Sequence, residues 1–449
     1  MSPGKTKAQS ATGGAVIESR PWQVAWDRVS GATPGLDWLL PRRAAALARI
    51  EASGLPTTDS EDWRHTSLTP YSERWADYLT TTPDAGVLQK TALPRPAITE
   101  SFVVNIIDGV VSAPPAGGQS GLMVCSLRHA TSELRQRVEG LLSQADLWPG
   151  DSLQDLNMAL MTDAILITTD PGSCCTRPVH IRLQTSAVPT LCQSRVLVDL
   201  APDSQLTLIL EHSGTDGALT NAVNHLWLGR GSQLDLVRVQ ALPDDAMLTE
   251  TTCLSLGEAA VATVTSVDLG GRLSRQALTI LLAGTGSSAT VHGMFLADGN
   301  RHVDNQTKLE HQAPRTTSRE TFRGIADGRG HGVFNGKIIV LAGAAGSNAA
   351  LTNRNLLLAA TAEIDTKPEL EIYVDDVRCS HGATTGQLDV NALFYLRSRG
   401  LDPVAARRLL TAAFLRQSLS GIAVPELRTW LEAQLEARLG GDFGIGDTK

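Results

Sequence analysis

The chain has 449 residues, enough for a substantial hydrophobic core, and 42% of them are apolar. It carries 47 acidic and 39 basic residues, a net charge of −8, and it has no run of five or six basic residues. This composition argues against binding to nucleic acid or to an anionic membrane surface, since both need clustered Lys and Arg. No 18-residue apolar stretch and no apolar segment near the N-terminus occur. We therefore expect a cytoplasmic protein without a transmembrane helix or a signal peptide.

Changes in hydrophobic periodicity divide the chain into five predicted regions. We interpret residues 1–35 as a flexible lead, 36–160 as a mainly helical domain and 161–386 as a β-rich core. Residues 387–440 are predicted to form a helical C-terminal domain, which residues 441–449 follow as a tail. The Cys residues do not suggest a disulfide framework, because six in a chain of this length form no Cys-x-x-Cys pair. Reduced thiols are expected.

Turn and cap signals locate the first elements. Pro41 suits a first helical position, and the helix formers after it are stopped by Gly54. Two short apolar runs then flank Asp108-Gly109, a dipeptide typical of a tight β-hairpin. The mainly helical domain is thus expected to contain at least one pair of strands.

Leucines recur at a nearly fixed interval in the β-rich core. Leu200, Leu228, Leu256 and Leu282 each end a predicted strand, at steps of 28, 28 and 26 residues, and Leu296 follows 14 residues later. Each repeat should therefore contain two half-turns. Propeller blades usually need about 40 residues or more, so the period favours a β-helix. A large β-sandwich with coincidental turn spacing is the alternative.

The C-terminal region changes to a helical period. Asp402-Pro403 is a good N-cap and first-turn pair, and a later helix places leucines on one stripe, namely Leu427, Leu431, Leu435 and Leu439. These stripes must pack on each other, on the β-rich core or on another protein. The pattern leaves self-packing and a docking surface equally open.

Common catalytic motifs do not occur in the chain. It has no P-loop, no H-E-x-x-H and no G-x-S-x-G sequence. The glycines Gly328, Gly330 and Gly332 precede a predicted strand, whereas a phosphate-binding loop opens a helix, so we assign them to turns. No catalytic residue is predicted.

Cys379-Ser380-His381 is the sequence most typical of a metal ligand set. Residues two apart on a strand share a face, so a thiol and an imidazole would lie side by side and could bind iron or another borderline metal. Two ligands are too few for a closed site, and both side chains could equally be packing residues. If the strand runs unbroken from Glu371, the apolar Ile372 and Val374 occupy the other face. The Cys–His face is then predicted to point outward.

Other titratable residues are weaker candidates. His311 is a further possible ligand, and His331 is predicted to support a turn. Cys174 and Cys175 would face opposite ways on a strand, which makes them poor ligands for one ion. A salt-bridged outer row is predicted from four charged residues: Arg315, Arg319, Glu320 and Arg323.

Long stretches of the chain resemble the SufB/SufD family of iron–sulfur cluster assembly proteins. They are SRETFRGIADGRGHGVFNGKIIV (Ser318–Val340), DTKPELEIYVDDVRCSHGATTGQLDVNALFYLRSRG (Asp365–Gly400) and LPTTDSEDWRHTSL (Leu55–Leu68). The resemblance implies a right-handed parallel β-helix flanked by N-terminal and C-terminal helical regions. It also implies a non-catalytic scaffold subunit, with ATPase activity in a partner.

The resemblance further implies partners and a site. The chain would pair with a SufB-like homologue through the β-helix and with a SufC-type ATPase through the C-terminal helices, with Leu388–Gln417 as the contact. Cys379 and His381 would be iron or nascent-cluster ligands at the SufB-like interface, holding iron transiently and no tightly bound cofactor. Gly382, where SufB-like chains carry Glu, favours the SufD branch. The alternatives are a SufB-like cluster-bearing subunit and a β-helical carbohydrate-active enzyme.

Overall fold

The computed structural model describes residues 21–31, 33–75, 98, 100–112, 119–148, 150–186 and 191–439. Most of the predicted lead, residues 1–20, and the predicted tail, 441–449, lie outside the described residues. Residues 21–29, which we assigned to the flexible lead, form a helix instead. No helix among the described residues is long and apolar enough to span a bilayer.

The described residues form helices at both ends and strands between them. The helices are α1 Pro21–Val29, α2 Leu40–Ser53, α3 Thr69–Glu73, α4 Ser132–Ala145, α5 Ser152–Leu160, α6 Val390–Ser398, α7 Pro403–Leu419 and α8 Pro425–Arg438. The strands are β1 Phe102–Ile107, β2 Val110–Val111, β3 Leu122–Ser126, β4 Ile165–Thr169, β5 Val179–Gln184, β6 Leu191–Leu200, β7 Gln205–Ser213, β8 Leu219–Leu228, β9 Gln233–Gln240, β10 Met247–Leu256, β11 Val261–Asp268, β12 Leu273–Leu282, β13 Ser288–Ala297, β14 His302–His311, β15 Thr317–Ala326, β16 His331–Val340, β17 Ser347–Leu357, β18 Glu363–Ile372 and β19 Val377–Gly386.

The strands build a two-sheet parallel β-solenoid, as the leucine period predicts. Even-numbered strands β4 to β18 stack in one sheet (sheet B), and odd-numbered strands β5 to β19 stack in the other (sheet A). Leu200, Leu228, Leu256 and Leu282 are direct neighbours across four strands of sheet B. The predicted hairpin is also present, since β1 pairs antiparallel with β2, and β1 continues sheet A beside β5.

One residue per turn takes a left-handed backbone conformation at the corner from sheet B to sheet A. Asp203, Gly231, Ala259, Gly286 and Arg315 have φ values of 58°, 66°, 54°, 71° and 57°. Each donates its amide to a carbonyl of the next turn, for example Asp203 to Arg230 O at 2.8 Å. This corner ladder bends every repeat in the same way, which accounts for the near-constant period. Three of its residues are not glycine, so composition alone does not reveal it.

Helices cover the outer faces of both sheets. The N-terminal helices bury Leu47, Leu142 and Leu156 in one cluster with Trp227 and Met247 on sheet B. Helices α7 and α8 bury a second cluster on sheet A, in which Leu415, Leu419, Leu427, Leu431 and Leu435 meet Val237, Val267 and Met294. The leucine stripe of the last helix therefore packs on the β-rich core.

The solenoid interior is apolar along most of its length, with aromatic rings fitted beside glycines. Phe295 lies opposite Gly324, and Phe322 lies opposite Gly293, on the neighbouring strands β13 and β15. A Cβ atom on Gly324 would lie 2.1 Å from the Phe295 ring, so only glycine leaves room for it. The glycine of the SRETFRG motif is thus a packing requirement.

Candidate functional site

The C-terminal end of the solenoid is open. Strands β18 and β19 are the last strands of sheets B and A, and each has a hydrogen-bonded neighbour on one side within its sheet. Residues 373–376 connect them, and Ile372 and Tyr373 beside this connection are 43% and 60% exposed. Unpaired strand edges next to exposed apolar side chains are suited to pairing with another chain. We call β18, β19 and residues 373–376 the terminal turn.

Cys379 and His381 lie on this terminal turn, on the face that continues the solenoid interior. Their partners on β17 are Ala349 and Leu351, both buried in the interior core. Cys379 packs against that core, and burial raises the pKa of its thiol. His381 is exposed, since no further strand among the described residues covers it. The pair therefore presents one sulfur and one nitrogen donor side by side at an open end.

The prediction that this face points outward is wrong. It assumed one strand from Glu371 to His381, but the chain turns at residues 373–376 and enters the other sheet. The turn resets the alternation of side chains, so that Val374, Val377 and Cys379 all pack on the interior core. Exposure of His381 results from the missing next turn of the solenoid.

Glu320 is a buried carboxylate in the same interior row. It pairs with Leu351 on β17, and Leu351 pairs in turn with His381 on β19. Burial raises the pKa of Glu320 to about 7, and the Thr307 hydroxyl offsets only part of this effect. Among the described residues, neither carboxylate oxygen has a hydrogen-bond partner of good geometry. A buried acid with a raised pKa thus lies two strands away from His381 in sheet A.

The predicted salt-bridged outer row is wrong at Glu320, which points inward with its neighbour Phe322. Arg323 does point outward, where it donates to Gln417 and stacks on Phe414 of α7 at 5.0 Å. Side chains two positions apart on a strand share a face, so an inward Phe322 would have predicted an inward Glu320. The sequence gives no local signal for the contacts of Arg323 with α7.

His311 is buried and structural. Its Nδ1 and Nε2 atoms lie 2.7 Å from Thr316 Oγ1 and 2.9 Å from Ser318 Oγ, and burial lowers its pKa to about 4. The six cysteines, all within the described residues, form no disulfide, and Cys174 is exposed whereas Cys175 packs on the interior core. His331 does more than support a turn, since its ring lies 2.8 Å from Asp365.

A buried charge group occupies the interior of the earlier turns and was not predicted. Arg238 Nε donates to Glu250 Oε2 at 2.6 Å, and its Nη1 donates to Asp268 Oδ1 at 2.5 Å. Burial alone would raise the pKa of Glu250, but His212 and Arg238 hold it well below its usual range. Arg238 is 1% exposed, so three buried charges depend on one another here.

Comparison with known proteins decides the family. Residues 181–414 match the SufBD core domain of the SUF system for FeS cluster assembly, and residues 35–181 match the SufBD N-terminal region. The chain belongs to the SufBD family. This membership connects the β-solenoid to iron–sulfur cluster assembly and decides against the carbohydrate-active enzyme that a β-helix alone would allow.

Two relatives within the SufBD family span most of the chain, and a third, more similar one matches less than half of it. An iron–sulfur cluster assembly SufBD family protein of Synechocystis sp. is 27% identical over 416 residues, covering 89% of this chain and 91% of the relative. One of Mycobacterium leprae is 26% identical over 332 residues, 72% of this chain and 84% of its own. Iron-sulfur cluster assembly protein SufD of Escherichia coli is 38% identical over 188 residues, 42% of this chain and 44% of that protein.

Proposed function

We propose that the chain is a SufD-type scaffold subunit of an iron–sulfur cluster assembly complex, and that its terminal turn binds a SufB-like subunit. The observation that carries this proposal is the placement of Cys379 and His381 on an open solenoid end with unpaired strand edges. A partner that pairs with β18 or β19 would bring its own ligands to this end. Iron or a nascent cluster bound there is substrate, shared between the two subunits and released.

The chemistry of the two donors fits a transient iron site. A thiol and an imidazole suit iron, but two donors leave at least two positions of a four-coordinate ion open. The one set of three or more close His, Cys, Asp and Glu side chains in the described residues lies on sheet B, away from Cys379. The missing ligands are therefore assigned to the partner.

Replacement of His381 by alanine tests the ligand role. We expect His381→Ala to reduce cluster delivery to target proteins in cells by about tenfold or more, since a metal ligand is lost. The complex itself should form normally, because the imidazole is exposed and holds no strand in place. His129→Ala, at another exposed histidine, is the matched control. Normal maturation of target enzymes in the His381→Ala strain would refute the role.

Anaerobic reconstitution distinguishes the SufD-type role from the SufB-like one. If the chain is a SufD-type subunit, the purified chain alone should form no stable cluster with iron and sulfide. Cluster formation is expected when the SufB-like subunit is added. A well-formed cluster on the lone chain would favour the SufB-like cluster-bearing subunit instead.

Helix α6 is proposed as the docking site for the SufC-type ATPase. Val390, Phe394 and Tyr395 are 73%, 73% and 57% exposed, and no residue of this helix is buried. Val390 and Phe394 are one turn apart and form an apolar stripe, in contrast to the leucines of α8 that pack on sheet A. This stripe lies within Leu388–Gln417, the segment that the family resemblance singles out.

Loss of the Phe394 ring should weaken ATPase docking. We expect Phe394→Ser to cost about 2 kcal/mol of binding free energy, or about 30-fold in Kd, if the ring is an interface anchor. The fold should be unaffected, because the ring contacts solvent. Leu147→Ser removes an apolar side chain that is 85% exposed and lies far from α6 along the sequence, so it should leave Kd unchanged. Calorimetric titration with the purified ATPase measures the Kd of each variant. Equal Kd values for Phe394→Ser and Leu147→Ser would exclude α6 as the docking surface.

A further inference from the structure

A second group of metal-ligand side chains lies on the outer face of sheet B, separate from Cys379. We call His65, His302, His331, Glu363 and Asp365 the sheet B cluster. His302, His331 and Glu363 start the consecutive strands β14, β16 and β18 and are direct neighbours in register. Asp365 follows two residues later on the same face of β18, and His65 comes from the segment after α2.

The ligand atoms of this cluster converge. One donor atom each from His331, Glu363 and Asp365 lie within 4.8 Å of one another. His331 Nε2 and His65 Nδ1 are 2.8 Å and 3.0 Å from the same oxygen, Asp365 Oδ2. Ligand atoms that bind one ion at about 2.0–2.2 Å are separated from each other by roughly 3 Å or slightly more. The separations in this cluster are close to that value, so small side-chain rotations suffice to bind a metal ion.

A hydrogen-bond chain fixes which nitrogen of His331 is free to bind. The Thr66 hydroxyl can donate only once, and it donates to the Asp304 carboxylate. His302 Nε2, 2.8 Å from Thr66 Oγ1, must then carry the proton and donate to that oxygen. The other nitrogen of the neutral ring, Nδ1, then holds a lone pair, since a neutral imidazole carries a single N–H. It accepts from His331 Nδ1 at 3.1 Å.

The consequence is a lone pair on His331 Nε2 that points at a carboxylate oxygen. Two acceptors at 2.8 Å repel unless a cation lies between them. His302 here orients the imidazole through its second nitrogen, the arrangement found behind metal-bound histidines. A proton or a metal ion can occupy the position between His331 Nε2 and Asp365 Oδ2.

We propose that the sheet B cluster is a binding site for one divalent transition-metal ion of the class of Fe²⁺, Co²⁺ or Zn²⁺. His331 Nε2, Asp365 and Glu363 are the ligands, and His65 is a fourth donor at the rim. Imidazole and carboxylate donors suit these ions, and a bound ion would tie the N-terminal segment to β16 and β18. Trp63, stacked on Arg275 at 3.8 Å, already fixes that segment on sheet B. The site uses neither Cys379 nor His381, although its ligands Glu363 and Asp365 lie on β18 of the terminal turn.

Cobalt titration of the full-length chain tests the proposal. The chain carries Cys125→Ser, Cys174→Ser and Cys379→Ser throughout, so that no exposed or half-exposed thiol can compete, and it is stripped with a chelator first. We expect one Co²⁺ per chain with a visible spectrum of nitrogen and oxygen ligands and no thiolate-to-cobalt band. Asp365→Asn, which keeps the shape of the side chain, should raise Kd at least about tenfold, as should His331→Ala.

Two further variants separate a metal site from a structural effect. His129→Ala is the control for loss of an exposed histidine and should bind Co²⁺ like the parent chain. His302→Phe keeps a ring at this half-buried position but removes the acceptor, so it should weaken Co²⁺ binding by about 10–100-fold. Its thermal unfolding temperature without metal should stay within the range of the other variants. Unchanged stoichiometry and Kd in Asp365→Asn and His331→Ala would overturn the proposal, as would a thiolate band.

Discussion

Replacement of Arg238 by methionine is expected to lower the free energy of unfolding by about 3–5 kcal/mol, because two buried carboxylates lose their shared cation. The methionine side chain keeps most of the volume, so a cavity contributes little. What remains is Glu250 and Asp268, both almost fully buried and no longer neutralised by a guanidinium. Urea unfolding of the purified chain, followed by circular dichroism, measures the change.

The control for Arg238→Met lies on the solenoid surface. Arg230 pairs with Asp203 at 2.8 Å, but both side chains are more than half exposed, so Arg230→Met should cost less than about 1 kcal/mol. Combining Arg238→Met with Glu250→Gln and Asp268→Asn should recover part of the lost stability, since no charge is then left unpaired. Equal effects of Arg238→Met and Arg230→Met would show that the buried charge group does not stabilise the fold.

Glu320→Gln is expected to change the pH dependence of stability. The pKa of Glu320 is about 7 in the folded chain and 4.5 in the reference state, so the folded chain holds the proton more tightly. The stability that this proton contributes is complete below about pH 4.5 and is lost as the pH rises to about 7. The glutamine variant has no such loss. Its free energy of unfolding, relative to the parent chain, should therefore rise by about 2.5 kcal/mol between pH 5 and pH 8.

The test compares how the free energy of unfolding changes with pH in the Glu320→Gln variant and in the parent chain, which makes it independent of packing changes. Any cost of the buried amide is the same at each pH and cancels in the difference between pH 5 and pH 8. Glu258→Gln, at an exposed turn, should follow the parent chain at every pH. If the glutamine variant at position 320 also runs parallel to the parent, the acid does not titrate near neutrality and the buried row beneath His381 is not pH-sensitive.

The repeat was predictable because a short, regular spacing of residues in the sequence determines it. Leu200, Leu228 and Leu256 stack in register, so a fixed spacing in the sequence becomes a fixed position in the fold. The hairpin at Asp108-Gly109 was predictable for the same reason, as both residues take the positive φ values that such a turn requires. Local chemistry and the global fold agree at these positions.

The inner and outer faces near the candidate site were less predictable. The face of a strand residue depends on where the strand starts, and the short turn at residues 373–376 inverts every assignment after it. That turn contains no glycine or proline to mark it. Glu320 was missed for a different reason: a charged residue beside arginines is usually solvent-exposed, and only its register with Leu351 places it inside.

Clusters that join side chains from different elements of the fold could not be predicted from local patterns. His65 and Asp365 are 300 positions apart, and they meet because the N-terminal segment crosses the outer face of sheet B. Arg238 and Glu250 are close in sequence but lie on different sheets, so their contact requires the corner between β9 and β10. No local periodicity encodes either contact.

The corner ladder has a consequence for the terminal turn. Its hydrogen bonds join each turn only to the next one, so an interior turn has two stabilising neighbours and the last turn has one. In such stacks the free energy is close to a sum over neighbouring units, and the end unit opens at a far lower free energy than the whole. Docking of a subunit on β18 or β19 would add the missing neighbour. Ordering of Cys379 and His381 and assembly of the complex would then be a single cooperative event.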